Sequence, residues 1–159
     1  MNAGDKQRSY DSVLPRVKEL IAGETDPVAV MATVACELHH AFDHFDWTGF
    51  YRVVEPGLLK IGPYQGTHGC LTIPFDRGVC GAAARLRRAQ IVPDVREFPG
   101  YISCSSTTRS EIVVPVTTPG GVLVGVLDVD SDRLGAFDGV DGTNLEKICM
   151  MVGAVYLGG

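Results

Sequence analysis

No apolar run in the 159-residue chain approaches the roughly 18–20 residues that span a bilayer; the longest lies around residues 121–127. The first ten residues are polar and hold no apolar stretch of the secretory-signal kind. Neither membrane insertion nor secretion is expected. Basic charge is also scarce: 14 Lys and Arg stand against 19 Asp and Glu, a net charge of −5. An acidic surface repels phosphate backbones and anionic lipids, so nucleic acid and membrane are not expected as partners. Internal repeats and low-complexity linkers are missing, and the length leaves room for one domain rather than two. With 45% hydrophobic and 21% charged residues, a disordered polymer is excluded. Residues 1–159 read as a single domain, with 1–9 as a flexible N-terminal tail. The five cysteines contain no Cys-x-x-Cys pair, and spacings from Cys70 to Cys80 and on to Cys104 do not suit structural zinc, even with His68 as a fourth ligand. No metal and no cofactor are expected. Cysteines in a chain with no signal peptide point to a reducing, cytoplasmic compartment, and their odd number cannot pair off within one chain.

What is present has a clear order. Val13, Leu14, Val17, Leu20 and Ile21 recur at helical spacing behind Asp11 or Ser12 as caps. Asp26-Pro27 opens a second helix, whose stripe of Val30, Met31, Val34, Leu38, Ala41 and Phe42 ends near Asp43. Strands are expected over 47–54 and 58–65, joined by a turn at Glu55-Pro56-Gly57, then a loop over 66–78 and a short helix over 79–88. A brief strand at 90–92 precedes a long irregular loop over 94–109, and loops of that length usually have a function. A second hairpin spans 111–117 and 122–130, and Leu145, Ile148, Cys149, Val152 and Tyr156 mark a closing helix. The fold class is α+β: an antiparallel sheet with N- and C-terminal helices packed on one face.

Three groups of residues carry potential chemistry. Cys36 and Cys149 fall on apolar or small-residue helix faces, where a thiol is a small hydrophobe. Cys70, Cys80 and Cys104 instead have glycine or serine neighbours, which leave a thiol reachable. Cys80 lies near the start of the expected third helix, where the macrodipole lowers a thiol pKa, so position alone favours Cys80 as the thiolate. Second, Asp128 and Asp130 alternate with Val129 and share one strand face; with Glu111 across the hairpin, three acids would crowd one spot and raise at least one pKa. Solvated acids at a strand end are the other reading. Third, Trp47, Gly49 and Tyr51 share a face, leaving either a hollow between two rings for a small methyl- or sulfur-bearing guest, or ordinary core packing. The run Arg85-Leu86-Arg87-Arg88 reads as a solvated helix end, and His68 as a solvated loop residue.

Taken together, Trp47-Thr48-Gly49-Phe50-Tyr51, Gly62-Pro63-Tyr64-Gln65-Gly66, Cys70, Ile73-Pro74-Phe75, Gly78-Val79-Cys80-Gly81, Val92-Pro93-Asp94-Val95, Phe98-Pro99-Gly100, Cys104, Arg109-Ser110-Glu111-Ile112-Val113-Val114-Pro115 and Gly125-Val126-Leu127-Asp128-Val129-Asp130-Ser131 resemble the free methionine-(R)-sulfoxide reductases, single-domain enzymes of the GAF fold. Generic GAF sensor domains lack this set of three cysteines. The departures are Asp76 before Arg77 and Gly69 before Cys70, both in loops. The resemblance implies thioredoxin-dependent reduction of free methionine-(R)-sulfoxide, with Cys104 as nucleophile, Cys70 as resolving thiol and Cys80 as an auxiliary thiol. It displaces Cys80 from the nucleophile's role. It also implies that Trp47 and Tyr51 face the substrate's methyl and sulfur, while Glu111, Asp128 and Asp130 handle its ammonium and sulfoxide oxygen. A homodimer is compatible with it. The competing readings are a GAF module that senses a small ligand without catalysis and a thiol redox switch without substrate.

Overall fold

The computed structural model describes residues 1–156. Its elements are α1 (Ala3–Leu20), α2 (Pro27–Ala41), β1 (Trp47–Glu55), β2 (Leu58–Gln65), β3 (Thr72–Pro74), α3 (Gly78–Leu86), β4 (Gln90–Val92), a 3-10 turn (Val95–Glu97), β5 (Ser110–Thr117), β6 (Leu123–Ser131) and α4 (Gly139–Ala154). The strands form one antiparallel sheet in the order β3-β2-β1-β6-β5-β4. Strand alternation sorts its side chains into two cores. Phe50, Ile112, Val114, Leu127 and Val129 pack under α1, α2 and α4, whereas Trp47, Tyr51, Val113 and Val126 lie on the opposite face with α3. The terminal helices therefore share one face, as expected for the α+β class, and α3 with its flanking loops covers the other. Among the described residues no helix is long and apolar enough to cross a membrane.

The N-terminus departs most from expectation. Residues 3–9 belong to α1, not to a flexible tail, and the cap is Asn2, whose side chain accepts from the Asp5 N–H, rather than Asp11 or Ser12. The reason is a distant charge. Lys6 is buried and donates to the Ala136 carbonyl at 2.7 Å, to Asp138 at 3.1 Å and to Asp141, while the Tyr10 hydroxyl donates to Asp141 at 2.8 Å. These bonds hold the first turns of α1 against the start of α4, and the helix runs on through Pro15. The same acids define α4. Asp138 caps the Val140 N–H and Asp141 reaches back to the Asp138 N–H, which starts the helix well before its apolar stripe. The loop over 66–78 also contains β3, too short to show a period.

Candidate active site

The site is assembled on the α3 face of the sheet. In register, Trp47 on β1 lies opposite Asp130 on β6, which lies opposite Glu111 on β5; one row further, Gly49, Asp128 and Val113 align. The period of two brings all three acids to one face. Glu111 and Asp128 are buried, and Asp130 is partly so. From the other side α3 supplies Cys80, held down because Gly81 packs on the Pro74 and Phe75 carbonyls with no room for a Cβ. The two chains of contacts meet in a cavity of about 480 Å³, open solvent at its mouth included. Trp47, Tyr51, Cys80, Cys104, Glu111, Asp128 and Asp130 all line it. Cys70 joins them through a disulfide to Cys104, with the two Cα atoms 5.3 Å apart across 34 residues of sequence.

Burial dominates the electrostatics. Removal from water lifts the Asp128 carboxyl to about 6, with protons on Glu111 and Cys80 working the other way. Glu111 is pushed well above the ordinary range by burial first and then by Asp128 and Asp130; Asp130 rises by burial and by Asp128, Asp132 and Asp46. Three acids that cannot all shed their protons together retain at least one near neutral pH. Cys80 moves in the same direction: burial, then Asp128, Glu111 and Asp130, hold its thiol well above the usual value. The thiolate expected from the helix dipole is thus corrected. A dipole effect is worth about 1 kcal/mol near a surface, and loss of solvent beside carboxylates opposes and exceeds it.

The aromatic hollow is corrected too. A Cβ on Gly49 would lie 2.5 Å from Trp47 Cη2 and also collide with Tyr64, so the indole itself fills the space above the glycine. Its ring stacks on Tyr64 with centroids 5.2 Å apart and on Tyr51 at 5.9 Å, and its Nε1–H donates to the Thr67 carbonyl at 2.7 Å. Tyr51 and Trp47 stack on each other and both line the cavity, with no gap left between them at Gly49. Gly69, one of the departures noted above, packs on both rings: a Cβ there would meet the Tyr51 hydroxyl at 3.0 Å and Trp47 at 3.2 Å.

Sequence reasoning read His68 as a solvated loop residue and passed over Tyr101, Ile102 and Ser105, yet all four line the cavity. His68 faces the cavity rather than solvent alone. Tyr101 and Ile102 are isolated apolar side chains in a polar loop, three and two residues before Cys104, and that isolation was the available signal. The loop is tied down at this point. The Gly78 N–H donates to the Gly100 carbonyl at 3.0 Å, and Gly78, at φ +74°, packs directly on Ile102. Burial and then Glu111, Asp130 and Asp128 raise the hydroxyl of Tyr101, which lines the same cavity. The sulfur of Cys80 and carboxylate oxygens of Glu111 and Asp128 lie within 4.8 Å of one another, a donor set able to hold a metal ion. Arg85 to Arg88 are exposed, as expected of a solvated helix end, with Arg85 and Arg87 donating to the carbonyls of Phe75 and Gly121.

A family model described as a GAF domain matches residues 24–155. The chain is 38% identical over 144 residues to a free methionine-R-sulfoxide reductase of Escherichia coli, covering 91% of this chain and 86% of that protein. It is 36% identical over 154 residues to the enzyme of that name from Saccharomyces cerevisiae, at 93% and 86% coverage. The solved structure of free methionine-R-sulfoxide reductase from Neisseria meningitidis in complex with its substrate superposes with a TM-score of 0.90 at 41% identity, covering 98% of this chain and 93% of that one. The chain belongs to the free methionine-(R)-sulfoxide reductase family of GAF domains. Membership in the reductase family agrees with the joined Cys70 and Cys104 and with the acids and aromatics on one cavity.

Proposed function

We propose that the chain reduces free methionine-(R)-sulfoxide to methionine and is returned to its dithiol form by an external dithiol protein of the thioredoxin class. The observation that carries this reading is a disulfide and a proton-retaining acid cluster opening on the same small cavity. A sulfoxide sulfur becomes electrophilic as its oxygen is protonated, so a soft nucleophile and an acid must act at one place. In the reduced protein the Cys104 thiolate attacks the sulfoxide sulfur, and Glu111 gives its proton to the oxygen. The transient sulfur–sulfur bond and the substrate's sulfur–oxygen bond both break as that oxygen passes to Cys104, releasing methionine and leaving a sulfenic acid. The sulfoxide is reduced by two electrons and Cys104 is oxidised by two. Cys70 then condenses with the sulfenic acid, expelling water and forming the disulfide before further oxidation can trap the enzyme. Exchange with the external dithiol restores both thiols. Cys80 stands by as an auxiliary thiol.

Asp128 and Asp130 would take the substrate's ammonium. Each positive charge brought among these acids offsets their mutual repulsion, so a free amino acid fits where a peptide-bound methionine, with no charged amine, does not. The edges of Trp47 and Tyr51 would meet the methyl and sulfur. A cycle of this kind suits the reducing cytoplasm.

The test is to incubate reduced protein with free L-methionine sulfoxide, as the mixture of sulfur epimers, and a small dithiol. Methionine should accumulate, with the R epimer consumed and the S epimer left; an N-acetylated substrate should be left untouched. Cys104→Ser should abolish turnover. Absence of methionine, with the disulfide nonetheless forming on exposure to peroxide, would overturn the enzyme reading in favour of a redox switch.

A further inference from the structure

We propose that Cys80, Glu111 and Asp128 form a binding site for a thiophilic divalent cation of the zinc class, filled while Cys70 and Cys104 are joined in their disulfide. Two independent observations meet here. The donor atoms, one sulfur and two carboxylate oxygens, lie within 4.8 Å of one another. Asp128 Oδ1 is moreover buried with no hydrogen-bond partner, on a side chain 5% exposed that lines the cavity. A proton on Glu111 or Cys80 is the nearest donor to that carboxyl in the empty cavity, and a cation held by the same three groups takes the proton's place and satisfies the buried oxygen.

The chemistry selects the ion. Metal–ligand bonds of about 2.3 Å to sulfur and about 2.0 Å to oxygen put tetrahedral donors about 3.5 Å apart. Rotations of two flexible carboxyl arms close that gap without moving the strands. A thiolate among the donors favours zinc or cobalt over magnesium or calcium, which prefer oxygen alone. The cavity supplies an entry path and a fourth position for water or for Asp130. Binding exchanges the Cys80 thiol proton for the cation.

Two consequences rest on the reductase reading. The cation occupies the place of the substrate's ammonium, and it withdraws the Cys80 sulfur from exchange with the neighbouring disulfide. Metal-loaded oxidised protein would therefore be held out of the cycle.

The experiment uses the full chain in its disulfide form with Co²⁺ as probe. One equivalent should produce near-ultraviolet sulfur-to-cobalt absorption, displaced by Zn²⁺. The band should vanish in Cys80→Ser and persist in Cys36→Ser, and affinity should fall by at least about tenfold in Asp128→Asn. Should Cys80→Ser fail to fold, X-ray absorption of the zinc-loaded native chain decides: one sulfur at about 2.3 Å is expected, and a shell of oxygen and nitrogen alone overturns the site. A missing cobalt band, or one equally strong in Cys80→Ser, also overturns it. No substrate enters these measurements, so their failure leaves the reductase reading standing, while absent turnover in metal-free protein strikes that reading and not the site.

Discussion

Replacing Asp128 by asparagine should stabilise the protein above neutral pH while disabling the site. The Asp128 carboxyl is raised from 3.8 to about 6 by burial. For an acid whose folded pKa lies above its unfolded one, the favourable balance is complete at pH below the unfolded value. It is lost as pH climbs, because the unfolded chain ionises first and the folded chain only later. A displacement of about 2 pH units, at about 1.36 kcal/mol each, destabilises the native state by about 3 kcal/mol above pH 6. Asparagine keeps the shape and removes the charge, so most of that deficit should be recovered, less the cost of a poorly paired amide. Glu111 and Asp130 should respond in the same sense, since both are raised in part by Asp128. In a chain of this size about 1 kcal/mol moves the Tm by about 2–4 °C. Asp128→Asn should then melt about 5 °C or more above the native protein at about pH 7.5, with the difference closing toward zero at about pH 3.5. Calorimetric melts of both disulfide forms across that range measure it directly. A difference that does not vary with pH, or one that grows toward acid, would refute the account of a desolvated, charge-strained site.

Two further substitutions probe the supports of the cavity. Gly49→Ala should push the Trp47 ring off its strand, since the new methyl would sit 2.5 Å from Cη2; overpacking of this kind costs about 1–3 kcal/mol, and KM for the sulfoxide should rise more than kcat falls. Lys6→Met should leave Asp141 buried without its counter-charge, a loss of about 3–5 kcal/mol in denaturant titration; a value near zero would return the first turns of α1 to the status of a tail.

What the sequence made legible follows the range over which each force acts. Strand alternation is local, so the shared face of Asp128 and Asp130 could be read from two residues, and Glu111 came opposite Asp130 through a hairpin of short loop. The helix caps at Asp26 and the brief strand at 90–92 were similarly short-range. The start of α1 was not, because it depends on Lys6 finding Asp138 and Asp141 more than a hundred residues away. Neither was the hollow at Gly49: the strand pattern shows that a side chain is missing there, but not that a neighbouring indole lies across the opening. The joining of Cys70 to Cys104 lay beyond spacing as well, and only the family resemblance pointed to it.

Cys80 shows most plainly how local and distant effects divide. Its place in the first turn of α3 is visible in sequence and argues for a thiolate, yet burial, and then the strand acids packed over that turn, reverse the sign. Those acids are a burden on any thiolate in the cavity as long as they stand unneutralised. In the proposed reaction a substrate ammonium would lift that burden on arrival, so the guest itself would supply part of the electrostatic field that a nucleophilic sulfur needs. On that proposal the three carboxyl groups would link recognition to reactivity: they discourage a free thiolate in the empty cavity and would permit one when a charged amino acid is bound. Such a design requires the acids to be buried, since in open water their influence on the sulfur would be screened away.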